Sequence, residues 1–196
     1  MQKTLTHIIQ HDGQAVYYGT IFNREEISVH IDALLNTIDW QHESIVMFGK
    51  EITTKRKVAF YGDDSIEYTY SKKTKKGLPW SAPLLVIKEL VESCTNCTYN
   101  ACLLNLYHDG NEGMGWHSDD EKEIVPYSSI ASLSLGAERK FSFKHKLTKE
   151  TISLLLENGS LLEMKGAIQT HWLHELPKTK KINTIRINLT FRQMIR

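Results

Sequence analysis

His117, Asp119 and His174 are the side chains best suited to hold a divalent metal. His117 and Asp119 stand one residue apart, so an extended segment that twists between them can aim both at one point. His174 comes much later and must be delivered by another strand of the same sheet. Two imidazoles and one carboxylate occupy one face of a metal and leave the opposite positions open. That arrangement suits non-haem Fe(II), which must bind a co-substrate and O2 together. The chain closes with Arg186-Ile187-Asn188-Leu189-Thr190-Phe191-Arg192. Side chains alternate along a strand, so Arg186, Asn188 and Arg192 share a face. Two cations and an amide on an interior face are costly unless something anionic sits there. Taken singly, His117-x-Asp119 also reads as a surface dipeptide and His174 as a hydrogen-bonded structural histidine; the joint pattern points to a centre.

The elements that must position these residues are legible in outline. Asn23-Arg24-Glu25-Glu26 has the form of a capping box, and Ile27, Ile31, Leu34, Leu35 and Ile38 recur on one face, which predicts a helix over 24–37. Ser81-Ala82-Pro83 opens a second helix, with Leu84, Leu85, Ile87, Leu90 and Val91 facing inward. Between them, 45–70 reads as short strands and turns. From Ala101 onward the pattern is β, with strands expected at 101–107, 114–117, 130–135, 139–144, 152–156, 160–164, 171–175 and 183–192. Turns such as His108-Asp109-Gly110 and Glu157-Asn158-Gly159 separate them. Eight short strands at this spacing suggest a mainly β fold with flanking helices, a double-sheet jelly roll.

A 41% hydrophobic and 24% charged composition is ordinary for a soluble globular chain. At 196 residues one domain is expected, with 1–100 as an N-terminal α/β extension for substrate recognition and 101–196 as the core. No apolar run approaches the ~20 residues of a membrane span, and no secretory signal is evident. The expected setting is intracellular, cytoplasmic in a bacterium or nuclear in a eukaryote, and the expected state a monomer. Cys94-x-x-Cys97 lacks the second pair that a structural zinc site needs, and reads as free thiols in a reduced compartment. The net charge of +1 is uninformative, but Lys50, Lys55, Arg56 and Lys57 cluster, as do the lysines of 71–76 and Lys178, Lys180 and Lys181. Such groups bind phosphate backbones or simply form solvated loops.

The residues together resemble the AlkB family of Fe(II)- and 2-oxoglutarate-dependent oxygenases. The marks are Asn105-x-Tyr107, His117-x-Asp119-x-Glu121, the distal His174, Pro126–Gly136, Gly159–Leu162 and Arg186–Arg192, over about 47–193. Phe48-Gly49-Lys50, Tyr61-Gly62-Asp63 and Tyr68-Thr69-Tyr70-Ser71 place the resemblance nearest the branch of duplex-DNA demethylases. It implies a double-stranded β-helix, with His117, Asp119 and His174 as catalytic ligands of Fe(II). Arg186 would bind the far carboxylate of 2-oxoglutarate with Asn105 and Tyr107, while Asn188 and Arg192 would steady its chelating end. The implied reaction consumes O2, decarboxylates the oxo acid and hydroxylates an N-methyl group, which then leaves as formaldehyde.

The resemblance further implies alkylated DNA as partner, bearing N1-methyladenine or N3-methylcytosine in an extruded base. Glu121 would face the cationic lesion, Tyr70 would stack on it, and Tyr68 would hydrogen-bond nearby. Phe48, with Lys50 beside it, would wedge into the gap left in the duplex, and Arg56 would reach the DNA. Lys55 stands where the family commonly has proline. Without the resemblance, Tyr68 and Tyr70 are alternate residues of a strand and Phe48 is the buried end of another. Three other readings compete: the same chemistry on RNA, protein or a small molecule; a catalytically silent jelly roll; and a structural zinc protein.

Overall fold

Between Arg186 and Arg192 every second side chain is apolar, and both faces of the segment are largely buried. A strand buried on both faces needs a layer on each side. In the computed structural model these layers are two helices and a second sheet. The structure describes residues 5–47, 50–64, 66–70 and 73–195, with the side chains of 43–47, 50–52, 67–70 and 73–75 outside the description.

The chain runs through β1 (Thr6–Ile9), β2 (Gln14–Thr20), α1 (Arg24–Thr37), β3 (Gln41–Met47) and β4 (Lys50–Gly62). A hairpin, β5 (Glu67–Tyr70) and β6 (Lys73–Lys76), precedes α2 (Ala82–Thr95). Then come β7 (Ala101–Tyr107), β8 (Met114–His117), β9 (Ile130–Gly136), β10 (Arg139–His145), β11 (Thr151–Leu156) and β12 (Ser160–Lys165). One helical turn, α3 (Ile168–His171), leads into β13 (Trp172–Leu176), and β14 (Arg186–Arg192) closes the fold. The larger sheet has the order β1-β2-β12-β9-β14-β7-β4-β3, and the smaller β11-β10-β13-β8. This is the expected mainly β, jelly-roll class with flanking helices. The larger sheet continues across residue 100, since β1 to β4 are hydrogen-bonded into it.

Two apolar layers follow from the alternation. Ile27 and Leu34 of α1, with Leu84, Ile87 and Val91 of α2, pack on the outer face of the larger sheet, against Leu104, Leu133, Leu189 and Phe191. On its inner face Tyr107, Ile130, Leu162 and Met164 meet Phe141, Phe143, Leu156 and Trp172 of the smaller sheet. Leu35 and Leu85, expected inward, are exposed: each sits at the margin of its helix's apolar stripe. No helix among the described residues is long and apolar enough to cross a membrane.

Several boundaries differ from expectation. β1 and β2 form where no strand was expected, because β12 offers β2 a partner. The segment read as short strands contains the thirteen-residue β4, paired on both sides by β3 and β7. His171 ends a helical turn instead of opening β13, and 183–185 precede β14 instead of joining it. Gly159, at φ +81°, turns the chain beneath α1, where an added Cβ would lie 2.6 Å from the Ile27 side chain.

The α1 cap is formed as expected. Asn23 Oδ1 accepts from the Glu25 and Glu26 amides, both at 3.0 Å, and Glu26 Oε2 accepts from the Asn23 amide at 2.8 Å. Asn23→Ala should therefore cost about 1 kcal/mol of unfolding free energy in urea denaturation; no change would mean that packing alone sets the start of the helix.

Candidate metal centre

β8 and β13 are neighbours in the smaller sheet, with His117 directly opposite His174. Their rings approach to 4.2 Å between centroids at 64°. Asp119, in the loop after β8, turns back toward them: its Oδ1 lies 3.8 Å from His117 Nε2 and 4.0 Å from His174 Nε2. One ligand atom from each of the three residues lies within 4.8 Å of the others.

The protonation states suit a cation. His117 Nδ1 is 2.8 Å from the Gly115 carbonyl, which can only accept, so in the neutral ring Nδ1 carries the proton and Nε2 presents its lone pair. Burial pushes the pKa of His174 down to about 3 against the pull of Asp119, with His117 and Arg192 lowering it further, so the ring is neutral at ordinary pH. For Asp119, burial works to raise the pKa, but Arg192 first, then His174 and His117, hold it below the usual carboxylate range. Arg192 Nη2 donates to Asp119 Oδ1 at 3.0 Å. Two imidazoles and an ionised carboxylate form the donor set of a non-haem Fe(II) site. Cys94, Cys97 and Cys102 form no disulfide and lie outside this group.

A second cluster, Asp12, His145 and His171, also brings three such atoms within 4.8 Å. Its chemistry differs. His145 Nδ1 accepts from the main-chain amides of Leu147 and Thr148 at 3.3 and 3.1 Å, so a neutral ring carries its proton on Nε2. That nitrogen faces Asp12 Oδ2 at 3.2 Å. A metal there would require a His145 ring stripped of both protons; His145 and Asp12 instead form a hydrogen-bonded brace for the 11–13 turn, with the His171 ring stacked on His145.

Behind the triad, β14 presents Arg186, Asn188 and Arg192 to the interior, opposite Tyr107, Asn105 and Ala101 of β7. Arg186 is 1% exposed. Its Nη2 donates to Ser134 Oγ at 2.8 Å and to Asn188 Oδ1 at 3.3 Å. No hydrogen bond of standard geometry reaches its Nε or Nη1 among the described residues. Its guanidinium carbon lies 5.4 Å from the Tyr107 ring centre. Burial lowers its pKa to about 10, with Tyr107 opposing the fall. Asn188 Nδ2 donates to Ser132 Oγ at 3.1 Å and to the Leu133 carbonyl at 3.2 Å. A small cavity of about 60 Å³ is walled by the triad together with Asn105, Tyr107, Arg186, Asn188 and Arg192.

A second cavity, of about 80 Å³, adjoins the triad and is lined by Arg56 and Glu121. Arg56 is buried, with Nη1 3.6 Å from Met114 Sδ and its guanidinium 5.9 Å from the Tyr107 ring centre. It lines this second cavity together with His117 and Asp119. Phe48 lies outside the described residues, as do the side chains of Lys50, Tyr68 and Tyr70. The backbone of β5 and β6 pairs Tyr68 with Lys75 and Tyr70 with Lys73.

Sequence reasoning missed Arg139, Ser132 and Ser134. Arg139 is 1% exposed and donates to the carbonyls of Glu112 and Pro177, each at 2.9 Å, locking the loop before β8 to the loop after β13. The serines alternate with leucines in β9, and that alternation was the available signal. Arg139 had none, because its partners are main-chain oxygens.

Residues 14–192 match the 2OG-Fe(II) oxygenase superfamily. The DNA oxidative demethylase ALKBH2 of Homo sapiens is 36% identical, over 95% of this chain and 76% of that protein. The chain belongs to this superfamily, in its AlkB family. Alpha-ketoglutarate-dependent dioxygenase alkB homolog 3 of Bos taurus is 34% identical, over 89% of this chain and 63% of that protein. The solved structure of OsALKBH1 aligns with a TM-score of 0.69, covering 97% of this chain and 100% of that one, at 14% identity. At that identity the likeness is one of fold.

The buried His174 has a pH signature. Its folded pKa, about 3, lies below its ordinary 6.5, so the unfolded chain binds more protons between those values. Its contribution to stability is complete above the ordinary value and is lost as pH falls toward the folded one. Metal-free His174→Gln should lose less unfolding free energy than the parent between about pH 7 and about pH 5 in urea denaturation. An equal loss in both proteins would contradict a buried neutral His174.

Proposed function

We propose that this member of the AlkB family is an Fe(II)- and 2-oxoglutarate-dependent dioxygenase that removes alkyl groups from DNA bases, with N1-methyladenine and N3-methylcytosine as substrates. One juxtaposition supports the reading above all: three convergent ligand atoms stand in the same small cavity as a buried arginine that no described carboxylate neutralises. His117, Asp119 and His174 would hold Fe(II). When bound with 2-oxoglutarate and O2, the metal supplies hydroxylation of a C–H bond coupled to decarboxylation of the oxo acid.

The chain's own residues do the rest. Arg186 offers a charge-assisted donor pair for the far carboxylate of the oxo acid, and its low solvent exposure strengthens that contact. Tyr107 and Asn105 line the same wall, and Asn188 is fixed by Ser132 and the Leu133 carbonyl toward the metal-facing end. Arg192 keeps Asp119 ionised and oriented. On the substrate side, Glu121 lines the cavity next to His117 and Asp119. A carboxylate there favours a methylated, cationic base over its neutral parent. Hydroxylation of its N-methyl group gives an N-hydroxymethyl group, which expels formaldehyde and restores the base. Phe48, Lys50, Tyr68 and Tyr70 take their proposed roles, wedge and base-holding group, from sequence alone.

The test is turnover on matched oligonucleotides carrying either lesion, as duplex DNA, single-stranded DNA and RNA, with succinate and formaldehyde measured. Methyl loss from DNA that requires both Fe(II) and 2-oxoglutarate is the expected result, and turnover confined to RNA or to substrates that are not nucleic acids would reject the DNA assignment. His117→Ala and Asp119→Ala should abolish turnover with the circular dichroism of the fold retained. Arg186→Gln should raise the KM for 2-oxoglutarate by about tenfold or more, because a charge-assisted pair is worth roughly 1.5–3 kcal/mol. An unchanged KM would place the oxo acid elsewhere.

A further inference from the structure

Asp119 is held from behind as well as from the front. Its main-chain amide donates to Gln169 Oε1 at 2.9 Å. Gln169 sits on α3, the helical turn immediately before the strand that carries His174. The main-chain oxygen of Gln169 accepts from Lys146 Nζ at 2.8 Å, and the same ammonium reaches Ser118 Oγ at 3.2 Å. Lys146, just past β10, is itself tied to α3, since its amide donates to the His171 carbonyl at 2.8 Å. The far end of the Gln169 amide rests on Met164, with Nε2 3.8 Å from Sδ. An amide donor can be met only by Oε1, so the side chain has one productive orientation.

Both residues that follow His117 are therefore fastened to the element that delivers His174. The need is physical: 118–120 lie beyond the end of β8 and have no strand partner. Arg192 fixes the charge of the Asp119 carboxylate, while the backbone carrying that carboxylate is fixed by Gln169. A ligand that must be ordered on binding gives up affinity to the ordering, and a ligand already in place does not.

We propose that Gln169, steadied by Lys146, is a positioning residue that presets Asp119 for the metal. The proposal rests on His117, Asp119 and His174 holding the ion. Groups that orient metal ligands typically change affinity by roughly 10–100-fold, and Gln169→Ala should weaken binding by an amount in that range. The experiment titrates metal-free protein with Mn(II), read by electron paramagnetic resonance, beside the near-ultraviolet circular dichroism and the thermal midpoint of each protein. Gln169→Ala should lose affinity with both other readouts at parent values. Gln169→Glu, which keeps an acceptor for the Asp119 amide, should recover most of the loss. Lys146→Met should show a smaller loss, and the double variant less than the two losses combined, since both act through one clamp. Parent affinity in Gln169→Ala would overturn the proposal. So would an affinity loss that follows a fall in thermal midpoint and is not rescued by Gln169→Glu, since that marks a purely structural role. A parent protein that fails to take up Mn(II) would remove the metal-centre reading itself.

Discussion

The charge on Asp119 sits where water hardly reaches it, and the rest of the centre is arranged around how that charge is held. A buried carboxylate without a partner costs several kcal/mol or is protonated instead. Arg192 meets it at 3.0 Å, from the last residue of β14. That strand lies between β9 and β7 in the middle of the larger sheet. The preceding residue, Phe191, points the other way and stacks near Trp80 and Tyr99 in the helical layer. One strand thus joins the apolar packing of one face to the ion pair of the other. The metal-facing aspartate depends on the segment that closes the fold.

With Asp119 and Arg192 compensating each other, Arg186 remains a buried cation whose hydrogen bonds go to a serine and an amide. Its lowered pKa records the cost of that burial. A divalent metal added to the triad increases the positive charge between the sheets, so metal alone is opposed by Arg186. A dicarboxylic acid reverses this, with one carboxylate toward Arg186 and the other toward the ion. On the proposed function the two ligands are electrostatically interdependent: each removes the charge excess that penalises the other.

What the sequence made legible divides along a physical line. β7, β8 and α1 have the bounds expected of them, because each is signalled locally: alternation ended by a turn, or a capping box followed by an apolar stripe. The convergence of His117, Asp119 and His174 was legible too, since spacing demanded a later strand for His174 and β13 pairs it with His117. β1 and β2 were not legible, because their existence depends on β12 across the sheet, far away in sequence. Neither was α3, whose four residues are too few for a helical period. Arg139 and Gln169 share a further reason: what they bind is main chain, and main chain leaves no residue-type signal.

The loop after β8 carries two of the candidate site residues, Asp119 and Glu121. Asp119 borders the arginine-lined cavity and also the one that contains Arg56 and Glu121. Glu121 follows it by two residues on the same loop, so whatever orders Asp119 also limits where Glu121 can stand. Gln169 and Lys146 border a third and outer cavity of about 410 Å³, which Asp119 and Glu121 line as well. On the proposed function, the tie from α3 then acts on both partners at once, the carboxylate that would hold the metal and the carboxylate that would face the lesion. A loop free to drift by an ångström would misplace the methyl group relative to the metal even with every ligand present, and misplacements of that size cost catalysis about a hundredfold. On that reading, the short helix ahead of β13, silent in the sequence, would link the order of the metal site to the placement of the base.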